Sequence, residues 1–191
     1  MDPLTIGIIA VVIVIVLALI ILAMMYNGLV MLSKRVNNAW AQIDVQLKRR
    51  ADLIPNLMNA VKGYAKFEKK VLTQVTHART AIMKAKTPAK AAEADDMLSG
   101  ALKNLFAVAE AYPSLRANEN FISLQEELAS TENKIAFARQ FYNDLVMEWN
   151  TKISVIPTNV VAAVFGMKKE REYFQVAESE KKNVKVDFSE L

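Results

Sequence analysis

The 191-residue chain has no cysteine, one histidine, five glycines and five prolines. Without cysteine there is no disulfide, no thiolate nucleophile, no iron–sulfur ligation and no cysteine-rich zinc site. The lone His77 excludes the paired Glu-x-x-His motifs by which helical bundles hold a di-iron centre. No Gly-rich phosphate loop, Walker motif or G-x-S-x-G occurs. Charge is missing locally too, with none between Asp2 and Lys34.

That charge-free stretch contains Leu4 to Met25, where only Thr5 and Gly7 are not hydrophobic. At ~1.5 Å per residue a helix over residues 4–25 reaches about 33 Å, against a hydrocarbon core of ~30 Å. A signal peptide wants a basic leader and a small-x-small cleavage site; here Asp2 and Pro3 precede the run, and bulky Ile20 to Met25 close it. The run is apolar on every face, unlike a one-sided core helix, and without cysteine a lipoprotein anchor is excluded. The expectation is an uncleaved transmembrane helix over 4–25 with the lipid bilayer as its partner. Residues 1–33 hold 26 apolar residues; the remainder is about 47% apolar, ordinary for a globular domain. No cation precedes the span while Lys34 and Arg35 follow it, so the positive-inside rule places the C-terminal side in the cytoplasm.

Beyond the span the pattern is helical. Ile43, Leu47, Ile54, Leu57, Val61, Tyr64, Val71, Val75, Ala78 and Ile82 recur at steps of three and four or their multiples, interrupted by Arg50 and Glu68. A second seam runs through Phe121, Leu124, Leu128, Thr131, Ile135, Ala138, Tyr142, Leu145 and Trp149. Such stripes pack against partner helices in bundles and coiled coils. Between them, Lys84 to Ala94 reads as a loop containing Pro88, and a helix from about Ala91 to Tyr112 ends before Pro113. Pro157 ends the long helix, and Thr158 caps a short VVAAVF piece closed by Gly166. Pro55 admits two readings. A kink in a continuing helix is favoured by the lack of a neighbouring glycine and sends VVAAVF far from the bilayer; a reversal gives four shorter helices and brings it near the lipid. Residues 175–191 read as a charged flexible tail, although VKVDF alternates with period two and could add an edge strand to a partner.

Catalytic constellations are not evident. His77 in KKVLTQVTHART has no carboxylate at orienting distance in sequence and reads as a solvated helix residue. Glu110, Glu126, Glu127, Glu132, Asp144 and Glu148 lack the calcium-loop pattern and read as solvated faces and interhelical ion pairs. Arg139, Gln140, Tyr142, Asn143 and Asp144 form either a recognition cluster or, better, a polar network at a bundle seam. Trp40 and Trp149 read as core residues. No catalytic, cofactor-binding or metal-binding residue is therefore assigned, and no cofactor is expected.

Charge is segregated. Residues 34–90 carry a net +10 and residues 91–166 a net −5; with Asp2 and a neutral stretch from 167 onward the whole chain is only +4. A basic first helix against acidic later ones favours correct intramolecular pairing, and neither nucleic acid nor a small-molecule substrate is expected as a partner.

The strings YNGLV (26–30), VNNAWAQIDVQLKRRADLIPNL (36–57), VKGYAKFE (61–68), EAYPSLRANENFISLQEELASTENKIAFARQFYND (110–144) and EREYF (170–174) resemble the LemA family of bacterial membrane proteins. The resemblance covers nearly the whole chain in order. It implies a short external N-terminus (1–3), a single membrane helix (4–25) and a cytoplasmic antiparallel helical bundle (26–174), but no reaction. The expected fold is all-α: one N-terminal transmembrane helix followed by an antiparallel bundle of long helices. The expected function is a non-enzymatic membrane-anchored scaffold or assembly protein of the bacterial inner membrane, homo-oligomeric, with protein partners of unknown identity. The alternative is an accessory subunit regulating a membrane protease or signalling protein.

Overall fold

The computed structural model describes residues 2–63 and 68–175. Among them are six helices and no strand: α1 (Pro3–Lys62), α2 (Lys69–Lys84), α3 (Pro88–Ala109), α4 (Pro113–Arg116), α5 (Glu119–Lys152) and α6 (Thr158–Val164). The tail reading from residue 176 onward, VKVDF included, and Tyr64 of the first seam lie outside the described residues. The chain forms two compact units, Met1–Ala39 with Asn143–Arg171, and Trp40–Tyr142 with Glu172–Leu191.

The unit containing Trp40–Tyr142 is an up-down-up-down bundle of the distal part of α1 with α2, α3 and most of α5. Arg79 on α2 meets the Ala51 carbonyl on α1, Ser99 on α3 meets Glu132 on α5, and the Phe106 and Phe121 rings lie 6.0 Å apart. The first seam is split between two helices: Ile43, Leu47, Ile54, Leu57 and Val61 are buried on α1, and Val71, Val75, Ala78 and Ile82 on α2. The α3 interior face is built largely of small residues, Ala91, Ala92, Ala94, Ala101 and Ala109, around Leu98, Leu102 and Leu105.

Helix α1 continues through Pro55, as the kink reading expected, and the reversal comes between Lys62 and Lys69. Proline at 55 removes the donor that would bond the carbonyl four residues back, which is that of Ala51. Arg79 Nε supplies the replacement at 2.9 Å. The expected loop at Lys84 to Ala94 is shorter, because Pro88 occupies the first turn of α3, where its missing N–H is harmless. Thr87 caps that turn by accepting from Lys90 N. Asn118 does the same for α5, accepting from Phe121 N at 3.2 Å.

The unit containing Met1–Ala39 joins the proximal part of α1 to the end of α5, α6 and the segment leading to Arg171. From Leu4 to Leu22 every large apolar side chain of α1 is exposed. No described part of the protein covers this stretch, so it is not a core helix; it is the one described helix long and apolar enough to cross a membrane. Helix α6 ends at Gly166 with φ +70°, where Met167 N bonds Ala162 O at 2.7 Å and Gly166 N bonds Ala163 O. This is the six-to-one closure that a left-handed glycine permits. The pairing of a continuous Pro55 helix with a distant VVAAVF does not hold: the Phe165 ring lies 4.5 Å from that of Tyr26, one residue past the apolar run. The reversal after Lys62 adds a fourth long helix, and the chain returns.

Candidate functional site

Among the described residues, Arg50 is the largest fully buried side chain. It occupies a seam position on α1, where only an apolar group or a paired charge is tolerated. Its Nη1 donates to Asp95 Oδ1 of α3 at 2.6 Å, and Nη2 lies 3.3 Å from Glu132 Oε2 of α5. Asp95 is buried on the inner face of α3, whereas the Glu132 side chain is 57% exposed. Among the described residues, Nε of Arg50 has no acceptor. Burial pushes the Asp95 carboxyl above its ordinary value; the Arg50 guanidinium and its hydrogen bond oppose this, and Asp96 and Glu132 reinforce it.

One cation between two carboxylates ties three helices together at one height. The group contains no nucleophile, and among the described residues no three His, Asp or Glu side chains converge to hold a metal ion. Its chemistry is that of an ion-pair lock, buried at Arg50 and Asp95, that links the three helices. The basic first segment does meet the acidic one here, through Arg50 with Asp95 and Glu132. Glu68, the other polar interruption of the first seam, is exposed immediately before α2.

The second polar assembly lies in the other unit and centres on Arg171. Its Nη1 donates to Asn37 Oδ1 at 3.2 Å and its Nη2 to Ser33 Oγ at 3.1 Å, while the guanidinium sits 5.6 Å from the centroid of the Trp149 ring. Arg171 N donates to Asn150 Oδ1, Asn150 Nδ2 donates to Arg171 O, and Trp149 Nε1 donates to Lys169 O. Residues 169–171 are thus strapped to the end of α5 by both backbone and side chain.

In the bundle unit, Tyr142 Oη donates to Glu172 O at 2.8 Å, and Trp40 lies 5.9 Å from Tyr142 and 6.4 Å from Phe174. Within this unit, Glu172 and Phe174 are thus held against Tyr142 and Trp40. Trp149 is buried and Trp40 half-buried.

His77 is exposed and lines two open hollows of about 430 and 300 Å³ beside α3. Of the cluster 139–144, Tyr142 is buried while Gln140 and Asp144 face solvent, so these residues do not converge on one point. Glu148 pairs along its own helix, with Lys152 at 2.7 Å. Asp95 was not among the acidic residues singled out in the sequence. Its signal is the charged interruption of the seam Ala91, Ala94, Leu98, Leu102, Leu105, which complements the interruption at Arg50.

A model of the LemA family matches residues 39–188, a stretch that holds the Arg50 lock, the Arg171 strap and all of the bundle. The chain belongs to the LemA family. Among curated relatives, it is 29% identical over 169 residues to "Protein LemA" of Metamycoplasma hominis, covering 86% of this chain and 74% of that one. It is 25% identical over 180 residues to "Magnetosome protein MamQ 2" of Paramagnetospirillum magneticum, covering 81% of this chain and 66% of the relative. Magnetospirillum gryphiswaldense MamQ is 22% identical over 179 residues, covering 80% and 65%. The chain thus spans about two thirds of the length of the magnetosome proteins it matches. Neither the family's description nor these names denote an enzyme.

Proposed function

We propose that this LemA protein is a non-enzymatic helical scaffold, anchored in the bacterial inner membrane by residues 4–25 and presenting its bundle on the cytoplasmic side to further copies of itself and to other proteins. Lys34 and Arg35 directly after the span support the orientation. The observation that carries the scaffold reading is on α5: Phe137 is 75% exposed and Phe141, one turn further on, 48%. Two aromatic side chains on one helical face gain most when covered by a partner, and a common membrane anchor raises the effective concentration of such faces. In the magnetosome relatives, the name places the protein with the magnetosome, in line with this reading.

The test is single-cysteine cross-linking at Phe137→Cys in native membranes, which the cysteine-free chain makes unambiguous. A homodimer adduct that disappears with Phe141→Asp is expected. Monomers at every concentration in detergent, with no cross-linked protein in cells, overturn the proposal; an adduct with a different membrane protein alone favours the regulatory-subunit role.

A further inference from the structure

Residues 153–167, ISVIPTNVVAAVFGM, contain no charge, and neither do residues 26–33 at the foot of α1. Within their unit these two stretches touch, through the Tyr26 and Phe165 rings. Helix α6 turns Val161 and Ala162 inward, where both are buried. Among the described residues its other face is uncovered: Val160 is 59% exposed and Val164, one turn on, 74%, with Ile156 83% exposed in the turn that leads into the helix and Phe165 half exposed at its end. This apolar stripe is continuous, through Tyr26, with the lipid-spanning run. Charge resumes on both sides at once, with Lys34 and Arg35 on α1, Lys152 before the stretch and Lys168 and Lys169 after it.

We propose that α6 and the residues leading into it, 153–165, are an interfacial element that lies in the bilayer surface beside the anchor and gives the protein a second lipid contact. The magnitudes fit. From Met25 to Lys34 the axis of α1 advances about 13 Å, and a helix with its side chains is ~10–12 Å across. One helix lying against Tyr26 therefore fills the space between the hydrocarbon edge and the first cations. Interfacial helices bury their apolar face roughly 5–10 Å into the boundary between headgroups and acyl chains. The Lys34, Arg35, Lys168 and Lys169 ammonium and guanidinium groups then stand at the height of anionic headgroups, within the ~8 Å over which such charges act. A short helix with this composition would be poorly placed in water and is well placed there.

The inference rests on membrane anchoring by residues 4–25, and its test separates the two. The full chain, which has no cysteine of its own, is labelled with a nitroxide at one introduced cysteine, Val160→Cys or Val164→Cys. Leu17→Cys serves as the reference in the span and Ser130→Cys as the reference in water. Each is reconstituted in vesicles of phosphatidylcholine with phosphatidylglycerol, and collision with dissolved oxygen is compared with collision with a water-soluble nickel chelate. The expected oxygen-to-nickel ratio at 160 and 164 is several-fold above that at 130 and below that at 17. A ratio at 160 and 164 equal to that at 130, with 17 deep in lipid, overturns the interfacial contact alone. Exclusion of both reagents at 160 and 164 shows a protein cover and also overturns it. A water-exposed label at 17 overturns the anchor itself.

Discussion

Arg79 Nε donates to the carbonyl oxygen of Ala51, the acceptor that Pro55 deprives of its intrahelical donor. A proline inside a helix costs about 3 kcal/mol or more when the freed carbonyl finds nothing. Here the vacancy in one helix becomes the attachment point of the next, so a local defect is used to hold α2 against α1.

Removing that donor exposes the defect. Arg79→Met is expected to destabilise the fold by about 1–3 kcal/mol, the cost of leaving a buried acceptor unpaired. Introducing Pro55→Ala into the same chain restores a backbone donor, so Arg79→Met should cost less there than in the wild type. Urea unfolding of the four proteins in detergent, followed by circular dichroism, gives the coupling; simple additivity would reject the link.

The ion-pair lock has unequal arms. Asp95→Ala leaves Arg50 buried with only a half-exposed partner, and a loss of roughly 3–5 kcal/mol is expected. Glu132→Ala removes a solvent-facing carboxylate and should cost no more than about 1 kcal/mol. Replacing Arg50 and Asp95 together by Met and Leu should recover most of what the single Asp95 change loses, as read from the same unfolding curves.

Acidification tests the Asp95 environment. Burial raises this carboxyl above its usual value of 3.8, so the folded protein binds the proton more tightly than the unfolded chain. The stabilising contribution of the group is therefore complete below 3.8 and is lost as pH rises through the raised folded value. Relative to Asp95→Asn, which does not titrate, the wild type should gain stability as pH falls through that window. A relative loss over the same range would show that the Arg50 attraction outweighs desolvation.

The strap should depend on the shape of its cation. Arg171→Ala removes two side-chain hydrogen bonds and the contact with the Trp149 face, and amide exchange across 168–173 should accelerate roughly tenfold or more. Arg171→Lys should restore little, because an ammonium cannot reach Ser33 and Asn37 as a planar fork while covering the indole.

Gly166 offers a narrow backbone test. Its φ of +70° is unfavourable for side chains, while nothing lies within 4 Å of where a Cβ would stand. Gly166→Ala should cost about 1–2 kcal/mol from conformation alone. A larger loss in unfolding measurements would point to a contact at that position.

The apolar span, the helical class and the buried stripes could be read from spacing because each repeats over many turns. The α1–α2 reversal was missed: the seam resumes at Val71 in a register that a single helix would also give, and the mark of the break, Gly63 directly after Lys62, is one that a continuing helix also tolerates. Pro88 misled in the opposite direction, since proline stops a helix in its middle but suits its first turn. Arg50 was visible as a charge in an apolar stripe, yet its partners depend on which helices lie beside it. Arg171 and Asn150 had no periodic signal, because a strap bonds through irregular backbone. The contact of Tyr26 with Phe165 follows from the number of helix reversals and not from either residue.

Helix α3 and helix α1 impose opposite limits on change. On the inner face of α3, Ala91, Ala92 and Ala109 are each only about 2% exposed, so an added methylene at these positions must displace a packed neighbour, at roughly 1–3 kcal/mol. Ile43, Leu47, Ile54 and Leu57 on α1 already fill their sites, and trimming one to alanine leaves a void costing about 2–5 kcal/mol. Mutational drift in this bundle is therefore directional in volume: one helix has no room to grow and another none to shrink, and a viable exchange between them requires paired changes of opposite size.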